Sequence, residues 1–165
     1  MNGTIKLTTD RLVLRRESIS DAKNIYKYLG CDPEITKYTG WNPYTTLEST
    51  IEKISSDIKQ YDEQGHYSWV ITLNGDFVGT IGAYDFDSIQ SSIEIGYSII
   101  SKYWGNGYAS EATQKVVDYL MNVEKIKKII AWTHIDNIAS LKVLKKAGFI
   151  ETGTEEEHIF LAKVL

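Results

Sequence analysis

The sequence predicts an α+β domain whose largely antiparallel sheet is flanked by helices. Three observations carry this. Asn74-Gly75 separates two apolar runs, which is the strongest short-range hairpin signal. A third run, Ser92 to Ile100, leads into a glycine loop, after which Ala109, Ala112, Val116, Val117, Leu120 and Met121 recur at helical spacing. Beyond that helix Lys128 to Thr133 reads as a buried strand, so one helix crosses between neighbouring strands.

Taken in order, Arg11 to Arg16 alternates well enough for an opening strand. Ser20 is placed to N-cap a helix with Ala22, Ile25, Tyr26 and Leu29 on one face and Gly30 as its stop. Cys31 to Tyr44 holds both prolines, Pro33 and Pro43, together with Gly40 and Trp41, and reads as a long loop. Thr45 and Glu48 have capping-box spacing ahead of Leu47, Ile51, Ile54, Ile58 and Tyr61, a second helix ending near Gly65. Tyr67 to Leu73 and Phe77 to Tyr84 are the hairpin strands. The last helix, from about Asn137 to Ala147, sets Ile138, Leu141, Leu144 and Ala147 opposite Lys142, Lys145 and Lys146, with Gly148 as its stop. Phe149-Ile150 and His158 to Leu165 close the sheet. The resulting order is β-α-α-β-β-β-α-β-α-β-β, with no linker or repeat, and one domain spans residues 1–165.

Composition narrows the classes. A domain near 165 residues buries roughly 68–70% of its unfolded surface, and 11 Tyr and 4 Trp supply core without staples. No run approaches the roughly 18 apolar residues of a membrane span, and Met1 to Lys6 lacks the features of a signal peptide. The one cysteine, Cys31, excludes an internal disulfide and a multi-thiolate zinc site. These readings favour a cytoplasmic protein without metal or membrane partner. A net charge of −4 argues against direct nucleic-acid binding and suits a cationic substrate.

The segment Trp104-Gly105-Asn106-Gly107-Tyr108-Ala109-Ser110 joins a strand to a helix N-terminus. Glycines let backbone N–H groups turn towards a ligand, and the first turn of a helix favours negative charge. A diphosphate is the natural guest. A dinucleotide fingerprint is opposed by Ser110 in the third glycine position, by the late location and by the preceding hairpin. The bland alternative is a tight turn without a ligand.

At this loop the chain resembles the GNAT superfamily of acyl-CoA-dependent N-acetyltransferases. Of the family pattern Gln/Arg-x-x-Gly-x-Gly/Ala, Gly107 and Ala109 match the last two fixed positions. Trp104 replaces the first, as in the branch of Rim-type ribosomal-protein N-terminal acetyltransferases. Glu94 to Tyr97, Tyr103 to Ala109, Asn137 with Ser140, Gly148-Phe149 and the opening Thr9 to Arg15 are also similar to that branch. The resemblance implies about seven strands, four helices and a V-shaped split between the fourth and fifth strands. It further implies acetyl-CoA as co-substrate, no metal, and direct transfer in a ternary complex. The favoured acceptor is a protein N-terminal α-amine. The alternatives are a small amine (polyamine, amino acid or antibiotic) and a non-catalytic acyl-CoA-binding module. Monomer and homodimer are both compatible.

By the same resemblance the amides of Gly105 to Ser110 hold the pyrophosphate. Tyr97-Ser98-Ile99 pairs with pantetheine, with an N–H near Ile99 aimed at the thioester oxygen. Asn137 caps the last helix and bonds a pantetheine carbonyl. Leu144, on the cofactor side, stands where many members carry a tyrosine acid, and Ser140, one turn earlier, is the serine proposed for that task in the Rim-like branch. Glu94 is the candidate base, since a carboxylate on a central strand is costly unless partnered or wetted by a cavity. Its bland reading is a solvated or ion-paired residue. Asp85, Asp87 and Glu34 are lesser candidates. Tyr38, Trp41, Glu34, Asp85 and His134 are candidate acceptor-pocket residues, with core anchoring as the alternative for Tyr38 and Trp41 and ordinary packing for His134. His66 and His158 have no evident partner, and Glu155-Glu156-Glu157 reads as a solvated hairpin turn.

Overall fold

Alternation along the strands divides the molecule into layers. In the computed structural model, which describes residues 2–63 and 65–165, β3 (Tyr67–Leu73) and β4 (Asp76–Asp87) meet at the expected turn. Asn74 at φ 51 and Gly75 at φ 90 supply the left-handed pair that a two-residue hairpin requires. The remaining strands are β1 (Leu7–Thr8), β2 (Val13–Arg15), β5 (Ser92–Ile99), β6 (Lys128–His134), β7 (Ile150–Glu155) and β8 (His158–Val164). They form one sheet ordered β1-β2-β3-β4-β5-β6-β8-β7, antiparallel throughout except for the parallel pair β5 and β6. Mixed α+β architecture follows, with eight strands where the sequence suggested seven. The extra strand, β1, is two residues long and is defined only by pairing with Val13 and Leu14.

Among the described residues five α-helices flank the sheet: α1 (Ala22–Ile25), α2 (Pro33–Thr36), α3 (Leu47–Lys59), α4 (Tyr108–Asp118) and α5 (Ile138–Lys146). Trp69 and Ile71 of β3 and Ile93 and Ile95 of β5 pack on one face with Val116 of α4 and Leu144 of α5. Val70 turns to the other face and joins Ile25, Ile54 and Ile100 beneath α1 and α3. Residues two apart share a face, so Glu94, Gly96 and Ser98 lie on the α1/α3 side and Tyr97 on the α4/α5 side.

Several helix boundaries differ from the sequence expectation. Ser18, not Ser20, starts the first helical segment, because its N–H and hydroxyl bond the Asp21 carboxylate. The second helix is capped by Thr46 with Ser49, not by Thr45 with Glu48. It ends at Lys59, well short of Gly65. The expected loop from Cys31 to Tyr44 contains α2, started by the Asp32 carboxylate accepting the Glu34 N–H, with Pro33 at the first helical position.

Candidate active site

β5 and β6 pair only from Ser92 to Glu94 and from Lys128 to Ile130, although β5 runs to Ile99 and β6 to His134. The sheet therefore opens into a V beyond Glu94. Ile100 donates its N–H to Val78 across the β4 edge at 2.9 Å. Backbone groups alternate along an antiparallel pair, so Tyr97 and Ile99 direct theirs into the split. The Ile99 carbonyl accepts the Trp104 indole N–H at 2.7 Å. Trp104 thus braces the lip of the split.

The glycine loop lies at the wide end. Gly105 (φ +77) and Gly107 (φ +80) are both left-handed, and a Cβ on Gly105 would meet nothing within 4 Å. Among the described residues no acceptor within the chain reaches an N–H from Gly105 to Ser110; the first helical bond is Glu111 N–H to the Gly107 carbonyl. The Asn106 side-chain amide donates to the carbonyls of Tyr103 (3.0 Å) and Trp104 (3.1 Å), which fixes the loop. Arg11 stands beside it, 4.6 Å over the Tyr108 ring and paired with Glu111 at 2.7 Å. Donors without acceptors, a helix N-terminus and an adjoining guanidinium fit a diphosphate. Arg11 carries no site signal in the sequence, where it reads only as the start of a strand.

A cleft of about 1350 Å³ runs from this loop through the split to the α1/α3 face. That exceeds the roughly 300–1,000 Å³ of an ordinary small-molecule site, leaving room for two substrates. Glu94 lines it on the α1/α3 face. Its carboxylate accepts the Trp132 indole N–H at 3.0 Å, and the Tyr84 hydroxyl sits alongside. Burial lifts the Glu94 pKa above the ordinary value, opposed by the Trp132 and Tyr84 hydrogen bonds and reinforced by Asp85.

On the opposite face of β5 the hydroxyls of Tyr97 and Ser140 are 3.0 Å apart. Burial pushes the Tyr97 phenol up to about 12, with Ser140 pulling it back. Asn137 caps α5, its carboxamide oxygen accepting the Ser140 N–H at 3.2 Å, and so holds the serine in place. Leu144 also borders the cleft but is core, only 1% exposed. Ser98 pairs with Thr80 on the Glu94 face.

The acceptor-side candidates separate. Tyr38 and His134 come together, ring centroids 5.2 Å apart, and His134 lies 3.3 Å from Glu157. Trp41 lines the cleft but is 72% exposed, which overturns the core-anchor alternative. Glu34 is paired with Lys37 at the surface, and Asp85, exposed at φ 56, borders the cleft. Asp87 is occupied by the N–H groups of Ile89 and Gln90, so it caps a turn. Cys31 is exposed. His66 does have a partner, the Asp57 carboxylate at 2.8 Å, and His158 packs edge-on to Trp132.

Glu17, which also lines the cleft, carries no site signal in the sequence. Glu17 is 5% exposed, and among the described residues its Oε2 has no hydrogen-bond partner. Burial and the neighbouring Asp57 carboxylate push its carboxyl up to about 7. A buried polar atom left unpaired costs about 1–3 kcal/mol. Among the described residues no group of three or more His, Cys, Asp or Glu is arranged to hold a metal ion, and no helix is long and apolar enough to cross a membrane.

A family profile described as an acetyltransferase (GNAT) domain matches residues 11–150. The uncharacterized N-acetyltransferase YoaA of Bacillus subtilis is 34% identical over 156 residues, covering 93% of this chain and 88% of that protein. The ribosomal protein uS5-alanine N-acetyltransferase of Escherichia coli is 25% identical over 165 residues, covering 95% and 84%. Among solved structures, RimL, a ribosomal L7/L12 α-N-protein acetyltransferase in complex with coenzyme A, has the same fold. Its TM-score is 0.88 at 17% identity, over 98% of each chain.

Proposed function

We propose, from the premise that this chain belongs to the acetyltransferase (GNAT) family, that residues 1–165 act as one catalytic domain transferring acetyl from acetyl-CoA directly to a primary amine. One observation carries the mechanism. Glu94 and the Tyr97–Ser140 pair lie on opposite faces of β5, beside a split into which the N–H groups of Tyr97 and Ile99 are directed. Acetyl-CoA, when bound, supplies an acyl group activated as a thioester. The amides of Gly105 to Ser110 and Arg11 hold its paired phosphates, and the N–H groups of Tyr97 and Ile99 align and polarise the acyl end.

Glu94 accepts the ammonium proton, directly or through water, and its raised pKa brings it nearer to neutral pH as a base. Across the strand, Ser140 donates a hydrogen bond to the departing sulfur. Tyr97, which keeps its proton at neutral pH, backs that bond. The strand thereby supplies a phenol where Leu144 leaves the helix without one. A serine is a weak acid, so hydrogen-bond stabilisation is its main contribution.

The first acceptor class is a protein N-terminal α-amine of the ribosomal-protein type. The relative named for uS5-alanine acetylation supports it, as does the rim at Tyr38, Trp41 and His134, which can receive a chain end. The second is a small amine, favoured by the buried Glu17 carboxyl that lines the inner end of the cleft. Thiol release from acetyl-CoA, followed with N-terminal peptides and small amines, tests both. Acetyl-CoA binding with no thiol release from any amine would leave only a binding module.

A further inference from the structure

Glu17 lines the inner end of the cleft, and Asp57 lies buried beside it in a different state. Asp57 is 2% exposed, and its two oxygens are engaged by Lys53 and by His66. Its charge is compensated. Glu17 is equally buried and lines the cleft, yet Oε2 meets no donor. The Tyr61 hydroxyl accepts the Glu17 backbone N–H at 2.6 Å, which fixes the main chain from which this carboxyl projects.

A path along the face of the sheet joins Glu17 to the reaction centre, narrowed over Gly96, where an added Cβ would lie 2.7 Å from the Tyr84 hydroxyl. Ser68 of β3 lies opposite Gly82 of β4, and Gly82 lies opposite Gly96 of β5, so all three share the α1/α3 face. None carries more than a hydroxymethyl group. Tyr84 and Tyr44 border the same cleft and supply aromatic surface. Ser68 flanks the Glu17 carboxyl, and Gly96 is two residues from Glu94. Two strand spacings separate β3 from β5, about 9.6 Å.

We infer that Glu17, with Asp57 behind it, is an ammonium subsite that holds the second cationic group of a small diamine-type acceptor while its other amine reaches Glu94. The inference rests on the amine-acetyltransferase reading and takes up its second acceptor class. An ammonium gives Oε2 the donor that the protein does not. The methylene chain between two amines spans the glycine track without needing polar partners, and aromatic faces near it favour a cation. A monoamine leaves Glu17 unpaired.

The test compares cadaverine with pentylamine, which differ by one terminal amine, on wild type and Glu17→Gln. In wild type kcat/KM for thiol release is about tenfold or more higher for cadaverine, as a charge-assisted hydrogen bond warrants. In Glu17→Gln that ratio falls towards one. Calorimetric titration of cadaverine into CoA-saturated protein reads the subsite independently of turnover. Binding to wild type that is lost in Glu17→Gln supports it; absent binding, or equal binding to both, overturns it. A kcat/KM ratio near one in wild type also overturns it. Cadaverine binding that depends on Glu17, with no thiol release from any amine, would sink the catalytic reading and leave the subsite standing. The amide is isosteric with the carboxyl, and a circular dichroism spectrum matching wild type confirms that the variant is folded.

Discussion

The hydroxyls of Tyr97 and Ser140 lie 3.0 Å apart although 43 residues separate them in sequence. β5 contributes one and α5 the other, and they meet on the face of β5 opposite Glu94. The pairing puts a proton-bearing phenol behind a serine that could not by itself do much for a leaving thiolate.

Ser140→Ala is therefore expected to lower kcat by about tenfold to a hundredfold, at or below the lower end of acid–base assistance as suits a hydrogen-bond donor, while the Kd for acetyl-CoA changes little. Tyr97→Phe should produce a smaller fall of the same kind. The double variant should be close to Ser140→Ala alone, because both act through one hydrogen bond. Additive losses in the double-mutant cycle, or full wild-type turnover in Ser140→Ala, would remove this pair from the chemistry.

Glu94→Gln should cost about a hundredfold to ten-thousandfold in kcat/KM. Burial raises the Glu94 pKa, so wild-type kcat/KM should rise with pH along an acid limb centred above the ordinary glutamate value. That limb should vanish in the variant. A profile identical in both proteins would assign the base elsewhere.

Gly107→Glu places a carboxylate where the loop amides converge, at a backbone φ of +80 that side chains rarely adopt. Acetyl-CoA affinity, measured by calorimetry, should fall below detection while the circular dichroism spectrum stays close to wild type. Arg11→Ala should weaken binding by a smaller factor, since its guanidinium is shared with Glu111. Unchanged affinity in Gly107→Glu would rule out the seat.

Glu17 makes a prediction about stability. Its carboxyl is raised from 4.5 to about 7, so the folded chain binds that proton more tightly than the unfolded chain. The contribution is complete below the unfolded pKa and is lost as pH rises through the folded one. It amounts to on the order of 3 kcal/mol. Wild-type Tm should therefore drop between pH 5 and pH 8 by more than that of Glu17→Gln, and parallel curves would contradict the burial argument.

What the sequence made readable was local. Asn74-Gly75 announced its hairpin, Asn137 its cap, and the glycine loop its helix N-terminus, because each signal lies within a few residues. Caps moved by one or two positions where a neighbour competed: Asp21 drew the first helix start back to Ser18, and Ser49 made Thr46 the better partner. Arg11 and Glu17 stayed hidden for a different reason. The partner of Arg11 is 100 residues away, and the environment of Glu17 depends on Asp57 and Ser68 arriving from α3 and β3. Ser140 stood out through its branch resemblance, whereas its bond to Tyr97 needed the fold.

A crystal structure with coenzyme A bound tests the central claim most directly. The account places the paired phosphates within hydrogen-bonding distance of the amides from Gly105 to Ser110, with the pantetheine arm running along Tyr97 and Ile99 in the split between β5 and β6. Coenzyme A lodged elsewhere, or missing from crystals soaked at saturation, would contradict it.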